Sequence, residues 1–169
     1  MKRPPPGMLA RVLRRARIPY GAWVLVKEVA RHLLRRPVVG IAVAAHTSDG
    51  RWLLVRRGDT GEWALPGGTL EWGESLRSAI ARELAEEAGV VGVRLGGLRG
   101  VYSAPWRDAR FHAVTIVVDA EIDEPARDPM NPLEIVEVRL FAEDALPGEL
   151  AHGMTDMLRD ARAGEPRWE

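Results

Sequence analysis

Residues 68–90 read GTLEWGESLRSAIARELAEEAGV, a glycine-led run that holds five glutamates. Residues 74–88 carry a helical pattern in which Leu76, Ile80 and Leu84 recur every four positions and supply a buried side. Glu83 and Glu87 are i,i+4 neighbours, and Glu86 lies three residues beyond Glu83, so three carboxylates project toward one edge. Anions this close repel one another and weaken an isolated helix. A divalent cation offsets the repulsion, and an all-oxygen donor set selects Mg2+ or Mn2+ over softer metals. Arg82, four residues before Glu86, is placed to orient and partly neutralise the cluster. Just upstream, Pro66 fixes its own φ, and Gly67 and Gly68 let the backbone approach a ligand closely. Taken alone, the run ELAEE reads first as the solvated acidic face of a helix, and only the whole arrangement favours a metal site.

Around this stretch the pattern alternates less regularly. Residues 38–45 form an apolar run of strand length, a turn falls at Ser48-Asp49-Gly50, and residues 51–56 complete a hairpin. Further strands are expected at 97–103, 111–122 and 135–141, with a proline-punctuated loop at 123–132 and a last helix at 153–163. Strands flanking helices without strict alternation predict an α+β fold, one sheet between helices.

The 169 residues suit one domain with an appendage. The charges, 24 basic and 24 acidic, balance overall but not locally: residues 1–37 carry ten Lys or Arg against the single acid Glu28. That segment reads as a basic helical extension (helices at 8–17 and 22–36, broken at Ile18-Pro19-Tyr20-Gly21), and residues 38–169 as the functional domain. In the second helix Val26, Val29, Leu33 and Leu34 make an apolar stripe, expected to pack on the domain or on a second copy in a homodimer. Aromatics suited to stacking nucleic acid are sparse there, only Tyr20 and Trp23, so nucleic acid is not the expected partner. The absence of cysteine removes disulfides, thiolate zinc sites and cysteine nucleophiles. No apolar run reaches the roughly 20 residues a bilayer span needs, and a cytoplasmic protein is expected.

The stretch resembles the Nudix box, G-x5-E-x7-R-E-U-x-E-E-x-G-U with U aliphatic. Gly68, Glu74, Arg82, Glu83, Leu84, Glu86, Glu87, Gly89 and Val90 meet every constrained position, and Leu65-Pro66-Gly67-Gly68 precedes it. The resemblance covers residues 38–141. It implies an α/β/α sandwich with a mixed sheet, and a hydrolase that cleaves a nucleoside diphosphate linked to another moiety. It further implies Glu83, Glu86 and Glu87 as ligands of Mg2+ (Mn2+ substituting), with the Gly67 carbonyl added. Glu74 would support the metal cluster from behind, and Arg82 would hold a glutamate in place. A further acid serves such enzymes as base or extra ligand: Glu134 is the first choice, then Glu137, with Asp123, Glu124 and Asp128 weaker.

The box does not name the leaving group. Pro105, fifteen residues after Val90, stands where ADP-ribose pyrophosphatases of the family tend to carry proline. No segment like that of the NADH-cleaving branch is present, and Tyr102 comes too early for the tyrosine of dinucleoside polyphosphate hydrolases. The expected substrate is therefore ADP-ribose or a nucleoside diphosphate sugar. The alternatives are a house-cleaning nucleoside triphosphate pyrophosphatase and a non-catalytic nucleotide sensor. Trp72 and Trp106 are candidate walls for the base or sugar, and Arg56, Arg57, Arg107 and Arg110 candidate phosphate clamps, one of the first two facing the cleft. His112 is read as a satisfied core or interface histidine.

Overall fold

The computed structural model describes residues 20–34, 36–108 and 110–169. Helix α1 (Tyr20–Leu34) falls in one compact unit, and residues 37–169 form another. The expected helix at 8–17 lies outside the described residues. Tyr20 and Gly21, expected in a break, are helical: α1 starts two residues before the anticipated position 22.

The second unit runs β1 (Val38–His46), β2 (Trp52–Arg57), β3 (Trp63–Ala64), α2 (Leu76–Ala88), β4 (Val93–Tyr102), β5 (Ala113–Ile122), β6 (Ile135–Phe141), α3 (Met154–Ala163) and β7 (Arg167–Trp168). The strands make one mixed sheet in the order β3-β2-β1-β5-β4-β7, with β6 on the other side of β2. β1 and β5 are parallel from Val38↔Ala113 to His46↔Glu121, while β4 and β5 are antiparallel.

The apolar run of β1 is explained by burial on both faces of the sheet. Ile41, Val43 and Ala45 point to one side and pack with Ile80, Leu84 and Ala88 of α2. Ala42 and Ala44 point to the other and pack with Met157, Leu158 and Ala161 of α3. The result is the helix–sheet–helix sandwich expected. Helix α2 is capped by Ser75, whose side chain accepts from Ser78 N–H, and it stops at Gly89 in the left-handed conformation. Glu74, expected inside the helix, stands before the cap.

The strands depart most from the sequence reading at β3, β4 and β7, the other bounds shifting by one or two residues. β4 begins at Val93, not 97, because pairing with β5 continues across Gly96 and Gly97 through a register shift between Leu95 and Leu98. β3 and β7 have two residues each, too short for periodicity to reveal.

The feature that positions the site is the divergence of β1 from β2. Their ladder is registered at His46↔Trp52 alone. Beyond it, residues 66–70 take the place beside β1: Ile41 N–H donates to Gly68 O (2.8 Å), Val43 N–H to Pro66 O (2.8 Å), and Leu70 N–H to Val39 O (3.0 Å). The loop leading to α2 is thereby sewn into the sheet.

Candidate active site

Where that loop passes α2, backbone and carboxylates meet. Gly67 has φ 154°, and a Cβ there would lie 2.2 Å from Ile41 O. A Cβ on Gly68 would lie 2.3 Å from Glu83 Oε1, so the glycine pair is what lets the buried end of α2 reach the loop. Gly67 N–H donates to Glu87 Oε2 at 2.8 Å. Glu83 and Glu87 are buried, whereas Glu86 is more open, its side chain 43% exposed.

Arg82 ties the group together. Its Nε and Nη2 donate to Glu74 Oε1 and Oε2, both at 3.0 Å. Its Nη1 donates to Glu83 Oε1 at 2.9 Å and to Glu86 Oε2 at 3.4 Å, and Nη2 also reaches Thr69 O at 3.3 Å. Glu74 is held below the usual carboxylate range by Arg82. Burial acts oppositely on the inner pair. It pushes Glu83 up against the pull of Arg82, and pushes Glu87 up to about 8 despite the Gly67 hydrogen bond. Glu134 contributes repulsion to both, so it lies near them.

Two buried carboxylates with raised proton affinity, an outer one beside them, and oxygen as the sole donor type fit a hard divalent cation in chemistry. As the side chains stand, among the described residues no three acidic or histidine side chains converge on one metal position. Glu83 and Glu86 are drawn onto Arg82, and Glu87 onto Gly67 N–H.

Beside the carboxylates a cleft of about 210 Å³ opens, with Gly67, Gly68 and Thr69 on one side and Glu134 at its rim. Arg57, Arg107 and Arg110 line it, but each is already paired. Arg57 holds Asp59 with two bonds (2.9 and 3.0 Å), Arg110 holds Asp108 (2.7 Å), and Arg107 holds Asp156 (2.6 Å) and Glu169 (2.7 Å).

Several expected site residues stand elsewhere. Arg56 does not line the cleft: the β2–β6 ladder shifts register between Arg56 and Arg57, and Arg56 pairs with Glu137 of β6 at 2.8 Å. That contact, together with one from Arg139, also engages Glu137. Trp72 is fully exposed, on the turn closed by Glu74 N–H to Glu71 O, and does not line the cleft. Pro105 and Trp106 likewise lie on an exposed turn, closed by Arg107 N–H to Ala104 O, and Trp106 is 81% exposed. The rings that do line the cleft are Tyr102 and Phe111. Glu124 pairs with Arg51. His112 is exposed just before β5 and is satisfied by Ser103 O at 2.8 Å, so it is not a core residue.

The sequence reading passed over His152, which lines the cleft from the segment before α3. No spacing announces it, because its neighbours come from residues 57–59 and 108–110.

A family model described as the NUDIX domain matches residues 34–161, and the chain belongs to that family. Over 72 residues it is 43% identical to an ADP-ribose pyrophosphatase of Methanocaldococcus jannaschii, covering 41% of this chain and 42% of that protein. Over 64 residues it is 45% identical to a MutT-like protein of Streptomyces ambofaciens, covering 38% of this chain and 41% of that one. The matches thus span about four-tenths of these relatives' length. Among solved structures, the MutT NUDIX hydrolase of Burkholderia pseudomallei is 32% identical with a TM-score of 0.64, covering 75% of this chain and 98% of that chain. Among the described residues no helix is long and apolar enough to cross a membrane.

Proposed function

We propose that this protein is a divalent-metal-dependent hydrolase that cleaves the pyrophosphate of ADP-ribose or another nucleoside diphosphate sugar into two monophosphates. The observation that carries the reading is the buried pair Glu83 and Glu87, set against Gly67 and Gly68 and flanked by an Arg82 that Glu74 pins in place. The similarity to an ADP-ribose pyrophosphatase supports the substrate class.

Glu83, Glu86 and Glu87, with the Gly67 carbonyl, would hold Mg2+, or Mn2+ in its place. When bound, the cation polarises a phosphoryl oxygen and lowers the pKa of the attacking water. The chain's own residues do the rest. Arg82, fixed side-on by Glu74, keeps the carboxylates oriented between turnovers. Glu134, at the rim of the cleft, takes the proton of the water. The water oxygen bonds to one phosphorus, the bridging P–O bond on that phosphorus breaks, and the leaving phosphate takes up a proton.

In the same reading residues 1–37 are an extension that joins two copies in a cytoplasmic homodimer, and residues 38–169 are the catalytic domain. Light scattering of the full chain beside one lacking residues 1–36 tests the dimer: the same number of chains per particle in both would contradict it. The substrate is tested with a panel of ADP-ribose, nucleoside diphosphate sugars, dinucleoside polyphosphates and triphosphates at mildly alkaline pH. Mg2+ and Mn2+ are supplied separately, and products are identified by mass. Two monophosphates from a sugar-bearing diphosphate are expected, and pyrophosphate release from triphosphates alone would overturn the choice.

A second reading, a nucleotide-binding module without catalysis, is favoured by one observation: Glu83 and Glu86 are both engaged by Arg82. Metal-dependent turnover in the same panel excludes it.

A further inference from the structure

Among the described residues His152 is the one non-glycine residue with positive φ, at φ 53° and ψ 33°. L side chains rarely adopt this conformation, and functional sites are where it concentrates. The turn carries the imidazole to the wall of the cleft, where its side chain is 17% exposed and its Nε2 is buried without a hydrogen-bond partner. A buried polar atom left unpaired in a folded protein calls for an explanation, and a functional role is one. Nδ1 faces Asp108 Oδ2 at 3.9 Å, which favours the tautomer with its proton on Nδ1 and leaves the Nε2 lone pair to accept. Burial and the nearby Arg110 and Arg57 push the imidazole pKa below its ordinary value, and this too favours a neutral ring.

The surroundings narrow the ligand. Arg57, Arg107 and Arg110 face four carboxylates (Asp59, Asp108, Asp156 and Glu169), so the wall is no trap for a further phosphate. One face of each cleft-lining aromatic ring is covered: Arg107 lies 4.7 Å over Tyr102, and Arg110 lies 5.2 Å over Phe111. A flat base would have to compete with those guanidinium groups. What fits is a neutral ring bearing hydroxyl groups, which donate to a carboxylate or, once the imidazole turns its buried Nε2 toward the cleft, to that nitrogen, and which accept from an arginine N–H.

We propose that His152 Nε2, with Asp108 and Asp59 beside it, is a specificity-determining site for the hydroxyl groups of the sugar beyond the pyrophosphate. The proposal deepens the hydrolase reading and rests on it for the pyrophosphate that brings the sugar in. A site built around a buried acceptor rejects analogues that lack the matching hydroxyl.

The test compares ADP-ribose with the ethyl ester of ADP, which keeps the nucleoside and pyrophosphate but has no second sugar. Binding to the full chain is measured by calorimetry without metal, and hydrolysis is measured with Mg2+. The wild type should prefer ADP-ribose by about tenfold or more, the scale of one or two hydrogen bonds. His152→Asn keeps a residue that tolerates positive φ but shortens the side chain, and should abolish most of that preference while leaving the ethyl ester within about twofold. His152→Gln, whose amide can reach toward the Nε2 position, should restore part of it. Equal losses on both ligands would mark His152 as merely structural and overturn the proposal, as would no loss or no preference in the wild type. ADP-ribose that binds in a His152-dependent way and is not cleaved would uphold the proposal and sink the hydrolase reading. Cleavage without His152 dependence would do the reverse.

Discussion

Glu74 and Arg82 meet side-on across the first turns of α2, Nε to Oε1 and Nη2 to Oε2 at 3.0 Å each. The pairing fixes the plane of a guanidinium whose remaining nitrogen, Nη1, holds Glu83 and Glu86. A bidentate contact imposes orientation as well as attraction. Glu74→Ala should therefore weaken Mg2+ binding by about 10–100-fold, as loss of a residue that orients metal ligands does, with turnover recovering at high Mg2+. Titration of activity against metal checks this; a saturation curve unchanged from the parent would show that Glu74 does not orient the metal ligands.

Acid stability should depend on the cluster around Arg107. Its guanidinium holds Asp156 and Glu169 below their ordinary values of 3.8 and 4.5. Groups with depressed folded pKa values contribute stability that is present above those ordinary values and is lost as pH falls through the folded ones. Thermal unfolding from pH 6 to 3 should show Asp156→Asn clearly less stable than the parent at pH 6, with the gap closing toward pH 3. A constant gap would mean the carboxylate charge is not what stabilises.

Leu84 is buried between α2 and the sheet. Leu84→Ala should cost about 2–5 kcal/mol, the usual range for an aliphatic residue truncated in a packed core. Urea unfolding measures it, and a loss below that range would mean the helix settles onto the sheet without it.

Trp72 and Trp106 are exposed and stand off the cleft. Replacing either with alanine should leave KM for the best substrate within about twofold and stability within the range of ordinary surface changes. A large rise in KM for one of them would show that substrate recruits that ring.

These outcomes follow a division already visible in the chain. Helix α2 and its carboxylates were legible because both depend on three- and four-residue spacing, a local property. The strand start at Val93 was not, because Gly96 and Gly97 look like a break until β5 pairs across them. The cleft wall was least legible. Arg57, Arg107 and Arg110 carried signals, but Arg56 offered the same guanidinium, and Trp72 and Trp106 offered stacking rings in place of Tyr102 and Phe111; only the register of β2 and the exposure of two turns sort them. His152 gave none, since the partners that make it distinctive lie more than 40 positions upstream.

In the proposed hydrolase Glu83, Glu86 and Glu87 hold the cation on which cleavage depends. The most direct measurement is ADP-ribose cleavage by the parent and by Glu86→Gln, each with Mg2+ and after chelation, with the fold of the variant checked by thermal unfolding. Glu86 is the most exposed of the three, so its replacement should spare the core. Two monophosphates are expected from the parent, silence after chelation, and turnover about 100-fold or more lower in the variant at an unchanged melting temperature. Turnover that persists without metal, or a variant as fast as its parent, would contradict that role of the three glutamates.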